Sequence, residues 1–113
     1  RMINFAIASL FHWKKSDKYT IVNKQRGEWL ISHVYAILGK YDKALSHAKE
    51  TLKLTKDNEL KDFDLAYAYE SMARAYSIKN NQNESKKWYE KAKFAGELIK
   101  KKIKNIFLDI NSK

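Results

Sequence analysis

The 113-residue chain has no cysteine, no proline and only three glycines. Without cysteine, disulfides and thiolate zinc sites are excluded, which fits a reducing compartment, so a cytoplasmic location is expected. So few turn residues argue against a sheet-rich fold and for long helices with short joints. No apolar run approaches the roughly 20 residues of a membrane helix, so no membrane span, and hence no membrane partner, is expected. MINFAIASLF is apolar and near the start, but only Arg1 precedes it and it lacks a signal-peptide cleavage site. A start on arginine is expected of a trimmed or fragmentary chain.

Chemical motifs are also missing. There is no G-x-S-x-G, Walker loop or G-x-G-x-x-G. His12, His33 and His47 lie on three different predicted helices without HxxxH or HExxH spacing, so converging metal ligands are not expected. Asp62 and Asp64 stand at a predicted helix start, where capping accounts for them. The expectation is a protein that is not an enzyme, with no cofactor and no metal.

What the chain does have is a globular balance of 44% apolar and 32% charged residues, enough for one domain, and a net charge of +10. That charge suits an anionic partner such as nucleic acid or a membrane surface. It equally suits a lysine-rich solvated face, and the abundance of Asn, Ile and Tyr matches an AT-rich coding bias.

Apolar spacing follows the helical period almost throughout. It predicts a first helix over 2–13, apolar nearly all round. A second, over about 19–38, carries Ile31, Val34, Tyr35 and Leu38 as its core stripe, follows Ser16 or Asp17 as cap, and stops at Gly39. A third, over 42–56, turns Ala44, Leu45, Ala48, Leu52 and Leu54 inward. A fourth ends at Ile78 and fills the core with Leu65, Tyr69, Met72 and Tyr76. A fifth, capped by Asn83, runs over 84–99, and the Ile/Phe-rich tail is either its continuation or a short sixth helix, with a break or bend near Lys101 as the favoured expectation.

The second and fourth helices repeat a spacing. Glu28-x₂-Ile31-Ser32-x₂-Tyr35 is followed by Ala44-x₃-Ala48, and Tyr69-x₂-Met72-Ala73-x₂-Tyr76 by Ser85-x₃-Tyr89-x₂-Ala92. Small residues at these places let two antiparallel helices approach closely, and the tyrosines fill the gaps beside them. This arrangement resembles a pair of tetratricopeptide repeats. The signature Trp is replaced, the terminal Pro is absent, and the copies are offset by 41 residues, from Tyr35 to Tyr76. RGEWLISHVYAILG and DFDLAYAYESMARAY also resemble a group of short bacterial tetratricopeptide-like proteins without assigned activity.

The resemblance implies an all-α, right-handed helical-hairpin array as a single domain over 1–113. It would comprise an N-terminal helix (1–14), two repeats (25–58 and 66–99) and a C-terminal capping helix (100–113). It further implies a concave groove lined by Arg26, Trp29, His33, Tyr67, Glu70 and Arg74, as a protein–protein interaction module would use for a peptide or protein partner. The bland alternative is that Glu70 and Arg74, at i,i+4 spacing, pair with each other and bridge to Arg26 or His33. Trp29 and His33 stand where a peptide-carboxylate clamp needs Lys and Asn, so that partner class is not expected. The runner-up function is an electrostatic binder of nucleic acid or another anionic surface, through Lys86, Lys87, Lys91 and Lys93 and the lysines at 100, 101, 102 and 104. A homodimer through the apolar first helix is a third reading.

Overall fold

A computed structural model describes residues 20–111. The predicted helix over 2–13, with His12 and Trp13, and the dimer reading built on it lie outside the described residues. The described residues form four helices: α1 (Ile21–Ile37), α2 (Tyr41–Asp57), α3 (Phe63–Ile78) and α4 (Gln82–Asn111). There is no strand among them. α1 packs on α2, α2 on α3 and α3 on α4, and α1 also touches α3. Each helix therefore meets its sequence neighbours, and the two odd-numbered helices face each other.

All three turns use one hydrogen-bonding device. After α1, Gly39 N–H donates to Ala36 O and Lys40 N–H to Tyr35 O. After α2, Glu59 N–H and Leu60 N–H reach back to Lys56 O and Thr55 O in the same way, and after α3, Asn80 and Asn81 do so to Ser77 and Tyr76. These are Schellman caps, which need one residue in the left-handed region. Gly39 (φ 72°), Glu59 (φ 53°) and Asn80 (φ 65°) supply it. Of the three, only Gly39 carries no Cβ penalty.

Helix starts are capped by other residues than expected. The Thr20 hydroxyl accepts from Asn23 N–H at 3.1 Å, and Asn81, rather than Asn83, accepts from Glu84 N–H at 3.3 Å. Asp62 sits at φ 59° and makes no side-chain cap bond. Its carboxylate accepts instead from Lys102 Nζ at 2.8 Å, and Asp64 reaches Arg26 at 3.5 Å. The expectation that capping accounts for both aspartates is thus corrected: their side chains tie α3 to α4 and α1.

The core is built from small side chains. Ala44, Ala48, Thr51 and Thr55 make the fully buried face of α2, against Ala68, Ser71, Met72, Ala73 and Ala75 of α3 and Ile31, Ser32 and Val34 of α1. Leu45, Leu52 and Leu54, expected inside, are only half-buried, as are Leu65, Tyr69 and Tyr76, and Leu38 is exposed. Close helix approach leaves room only for alanine-sized groups at the contact line, so the larger side chains flank it. The threonine hydroxyls are satisfied within their own helix, Thr51 donating to His47 O at 2.8 Å and Thr55 to Thr51 O at 2.6 Å. Two further hydroxyls stitch neighbouring helices, Ser32 donating to Ala44 O at 2.8 Å and Ser85 to Ala73 O at 2.9 Å.

Gln25 is the largest fully buried side chain among the described residues. Its Nε2 donates to Thr55 Oγ1 at 3.0 Å and to Asp64 O at 3.1 Å, so one amide on α1 bonds to both α2 and α3.

The expected bend near Lys101 is absent, because α4 runs unbroken from Gln82 to Asn111. That stretch has no proline, its one glycine, Gly96, stays helical, and its lysines keep their charged heads in water. Residues 101–110 are all exposed, so the tail does not cover an end of the described stack as a capping helix would.

Two substitutions test these devices in opposite directions by urea denaturation. Gln25→Leu keeps the volume but removes both donated bonds, and is expected to cost about 1–3 kcal/mol. Glu59→Gly relieves a left-handed residue whose strain exceeds the glycine's entropic cost, and is expected to gain roughly 0.5–1 kcal/mol.

Candidate functional site

α1 and α3 face each other along one side, and the stripe expected from the sequence lies on those two helices. The structure brings five of its six residues into two groups joined at His33. Trp29 stacks on His33 at 5.3 Å between ring centroids, with planes 13° apart, as expected for side chains one helical turn apart. Across the groove Trp29 meets Tyr67 of α3 at 5.5 Å, tilted by 46°, and Tyr67 stacks with Phe63 at 6.4 Å. The result is a ladder of rings from the middle of α1 to the start of α3.

The second group is polar. Arg74 Nη2 donates to Glu70 Oε2 at 2.5 Å, and Arg74 Nη1 donates to His33 Nδ1. Arginine has no lone pair to offer, so His33 must accept at Nδ1 and carry its proton on Nε2. Burial lowers the pKa of His33 below its ordinary value, the Arg74 charge lowers it further, and Glu70 pulls it partly back. Glu70 and Arg74 are therefore mutually paired and bridge α3 to α1 through His33. Arg26 does not join them: it points to Asp64, and the guanidinium is mostly exposed.

Two hollows adjoin these groups. One, of about 260 Å³, is lined by Gln25, Arg26, Trp29, Leu30, Phe63, Asp64 and Tyr67. Phe63 (56% exposed) and Tyr67 (49%) stand at its edge, and its surroundings are aliphatic and aromatic apart from Arg26, Asp64 and the Gln25 amide. The Trp29 indole N–H is buried and has no hydrogen-bond partner. The other hollow, about 570 Å³ and wider, lies between α3 and the start of α4, with Glu70, Arg74, Ser77, Ser85 and Tyr89 on its walls.

Sequence reasoning missed Phe63 and Asp64 as groove residues. Phe63 carried one signal, a large aromatic placed off the core stripe at the first position of a helix. His47, which the sequence shows only as an isolated histidine, is half-buried. There its Nδ1 meets the buried Glu28 carboxylate at 2.6 Å and its ring stacks on Tyr35 at 5.6 Å. A single sequence hides such a pair, because Glu28 and His47 are on different helices. Two of the lysines expected to face a phosphate backbone, Lys87 and Lys91, lie over the Trp88 ring of the protein itself, at 5.6 and 5.4 Å from its centroid. Among the described residues no three His, Asp or Glu side chains converge on a metal-sized point.

Comparisons with protein-family models, with curated proteins and with solved structures gave no match.

The His33 bond makes folding pH-dependent with a definite sign. Its folded pKa lies below the unfolded value of 6.5, so the unfolded chain binds more protons and stability rises with pH. The contribution is fully present above pH 6.5 and is lost as pH falls from there through the lowered folded-state value. Urea midpoints followed downward from pH 7.5 should therefore fall once below about pH 6.5, and His33→Gln should remove that part of the slope.

Proposed function

We propose that the chain is a non-enzymatic interaction module that holds a peptide or protein segment in the groove between α1 and α3. In this reading the four helices are two tetratricopeptide-like hairpins, α1–α2 and α3–α4, in a right-handed array. The repeat reading draws support from bonds that recur at the 41-residue offset. The turn bonds Lys40 to Tyr35 and Asn81 to Tyr76 correspond, and so do Ala44 N–H to Lys40 O and Ser85 N–H to Asn81 O. Positions 32 and 44 return as 73 and 85, with the hydroxyl on the opposite helix of the hairpin.

The observation that carries the binding reading is the half-exposed ring ladder of Trp29, Tyr67 and Phe63 beside a hollow of about 260 Å³. Aromatic side chains offer large contact area at low entropic cost, and interfaces concentrate their energy on them. The hollow suits one aliphatic or aromatic anchor of the partner. Arg26 stands at its rim, weakly held by Asp64 at 3.5 Å, and suits a carboxylate next to that anchor. Arg74 is already committed to His33 and Glu70, so it orients the groove wall more than it grips a partner.

The test is selection of peptides on the chain from a display library, followed by titration. Tyr67→Ala and Phe63→Ala should each weaken the selected peptides by about tenfold or more while leaving the melting temperature nearly unchanged, since both rings are about half exposed. Trp29→Ala is expected to lose binding and also some stability, because its indole is partly buried among neighbours. Peptides whose affinity ignores Tyr67 and Phe63 would remove the groove from consideration.

A further inference from the structure

One face of α4 changes surroundings along its length. Ala95 and Ile99 are buried on it, and α3 is the helix it packs against among the described residues. α3 begins at Phe63, and the contact between Lys102 and Asp62 lies at that end. α4 nevertheless continues to Asn111, about two and a half further turns at 3.6 residues per turn. At that period Ile103, Ile106, Phe107 and Ile110 continue the arc that Ile99 belongs to, now exposed: Phe107 by 63% and Ile110 by 65%. Lys100, 3.7 Å from Glu97, and Lys104 border the arc on one side, and Lys102, bonded to Asp62, borders it on the other together with Asp109.

We propose that this overhanging end of α4 is a peripheral membrane contact, laid along a bilayer rich in anionic phospholipid. Ile103, Ile106, Phe107 and Ile110 enter the boundary of the acyl region, and Lys100 and Lys104 on their border meet headgroup phosphates. Charge complementarity selects this occupant. A second copy of the chain would cover the apolar arc but bring the same excess of lysine over Glu97 and Asp109 against its own kind. A nucleic acid would satisfy the lysines yet leave a row of isoleucines and a phenylalanine against phosphate and water. The net charge of +10 acts in the same direction over longer range. Run length in the sequence speaks only against spanning, and no described helix is long and apolar enough to cross a membrane. Surface attachment needs only one face.

Vesicle flotation of the full chain tests this, with phosphatidylcholine alone and with phosphatidylcholine mixed with phosphatidylglycerol. Wild type should float with the mixed vesicles at low salt, and about tenfold or more weakly with neutral vesicles or at high salt. Phe107→Asp and the double variant Lys100→Glu/Lys104→Glu should each lower partitioning by about tenfold or more. These positions are exposed, so both proteins should keep their melting temperatures. Wild type that fails to float with mixed vesicles at low salt overturns the proposal. So does Phe107→Asp that floats as well as wild type, which leaves only a lysine patch. A wild-type dimer by light scattering that Phe107→Asp splits, without vesicle binding, assigns the arc to a second copy instead.

Discussion

A single buried amide holds three of the four helices in register. Gln25, itself buried, donates from α1 to a threonine hydroxyl on α2 and a backbone carbonyl on α3. A buried polar group without partners costs free energy, so any sliding of these helices that broke the bonds would be opposed by the desolvation of the whole set. Alanine contacts alone are short-range and nearly featureless along a helix, and would tolerate alternative registers more readily. Gln25 supplies the specificity that small side chains cannot.

The same small-residue core decides what is left outside. With the contact lines filled by Ala44, Ala48, Ala68 and Ala75, the bulky residues are displaced to the flanks, where the aromatics line up as a ladder. The charges on that flank are organised by different physics. A half-exposed i,i+4 pair such as Glu70–Arg74 contributes only about 0.3–0.5 kcal/mol. Its significance lies in the further bond to His33, which converts a pair within one helix into a link between two. A neutral imidazole is the right acceptor there, because a protonated one would face the guanidinium with like charge.

The sequence made the helical class and three of the joints legible, since periodicity, Gly39 and the polar runs around 57–61 and 79–83 mark them directly. The stripe through Arg26, Trp29, His33, Tyr67, Glu70 and Arg74 was legible as a face for the same reason. What could not be read was contact across helices. Spacing assigns a residue to a face but does not say how closely the facing helix comes, so leucines were expected where threonines are buried. Nor does it say where a carboxylate reaches, so Asp62 and Asp64 passed for caps while they bridge helices. Glu59 was invisible as a turn former because it is neither glycine nor asparagine, although it adopts their left-handed conformation.

The end of α4 shows how one periodicity serves two environments. Up to Ile99 the apolar arc is needed by α3, and any sequence able to bury it would show that spacing. From Ile103 onward no described helix is opposite, yet the spacing persists for two turns, with Lys100 and Lys104 along one border where it begins. Exposed apolar residues in such number and alignment tend to associate with something, and scattered surface hydrophobics would need no such account. A helix that merely overran its partner could end in any polar residues at no cost to the fold. That this one keeps an ordered apolar face, outside the core that would require it, is the reason to treat it as a surface in its own right.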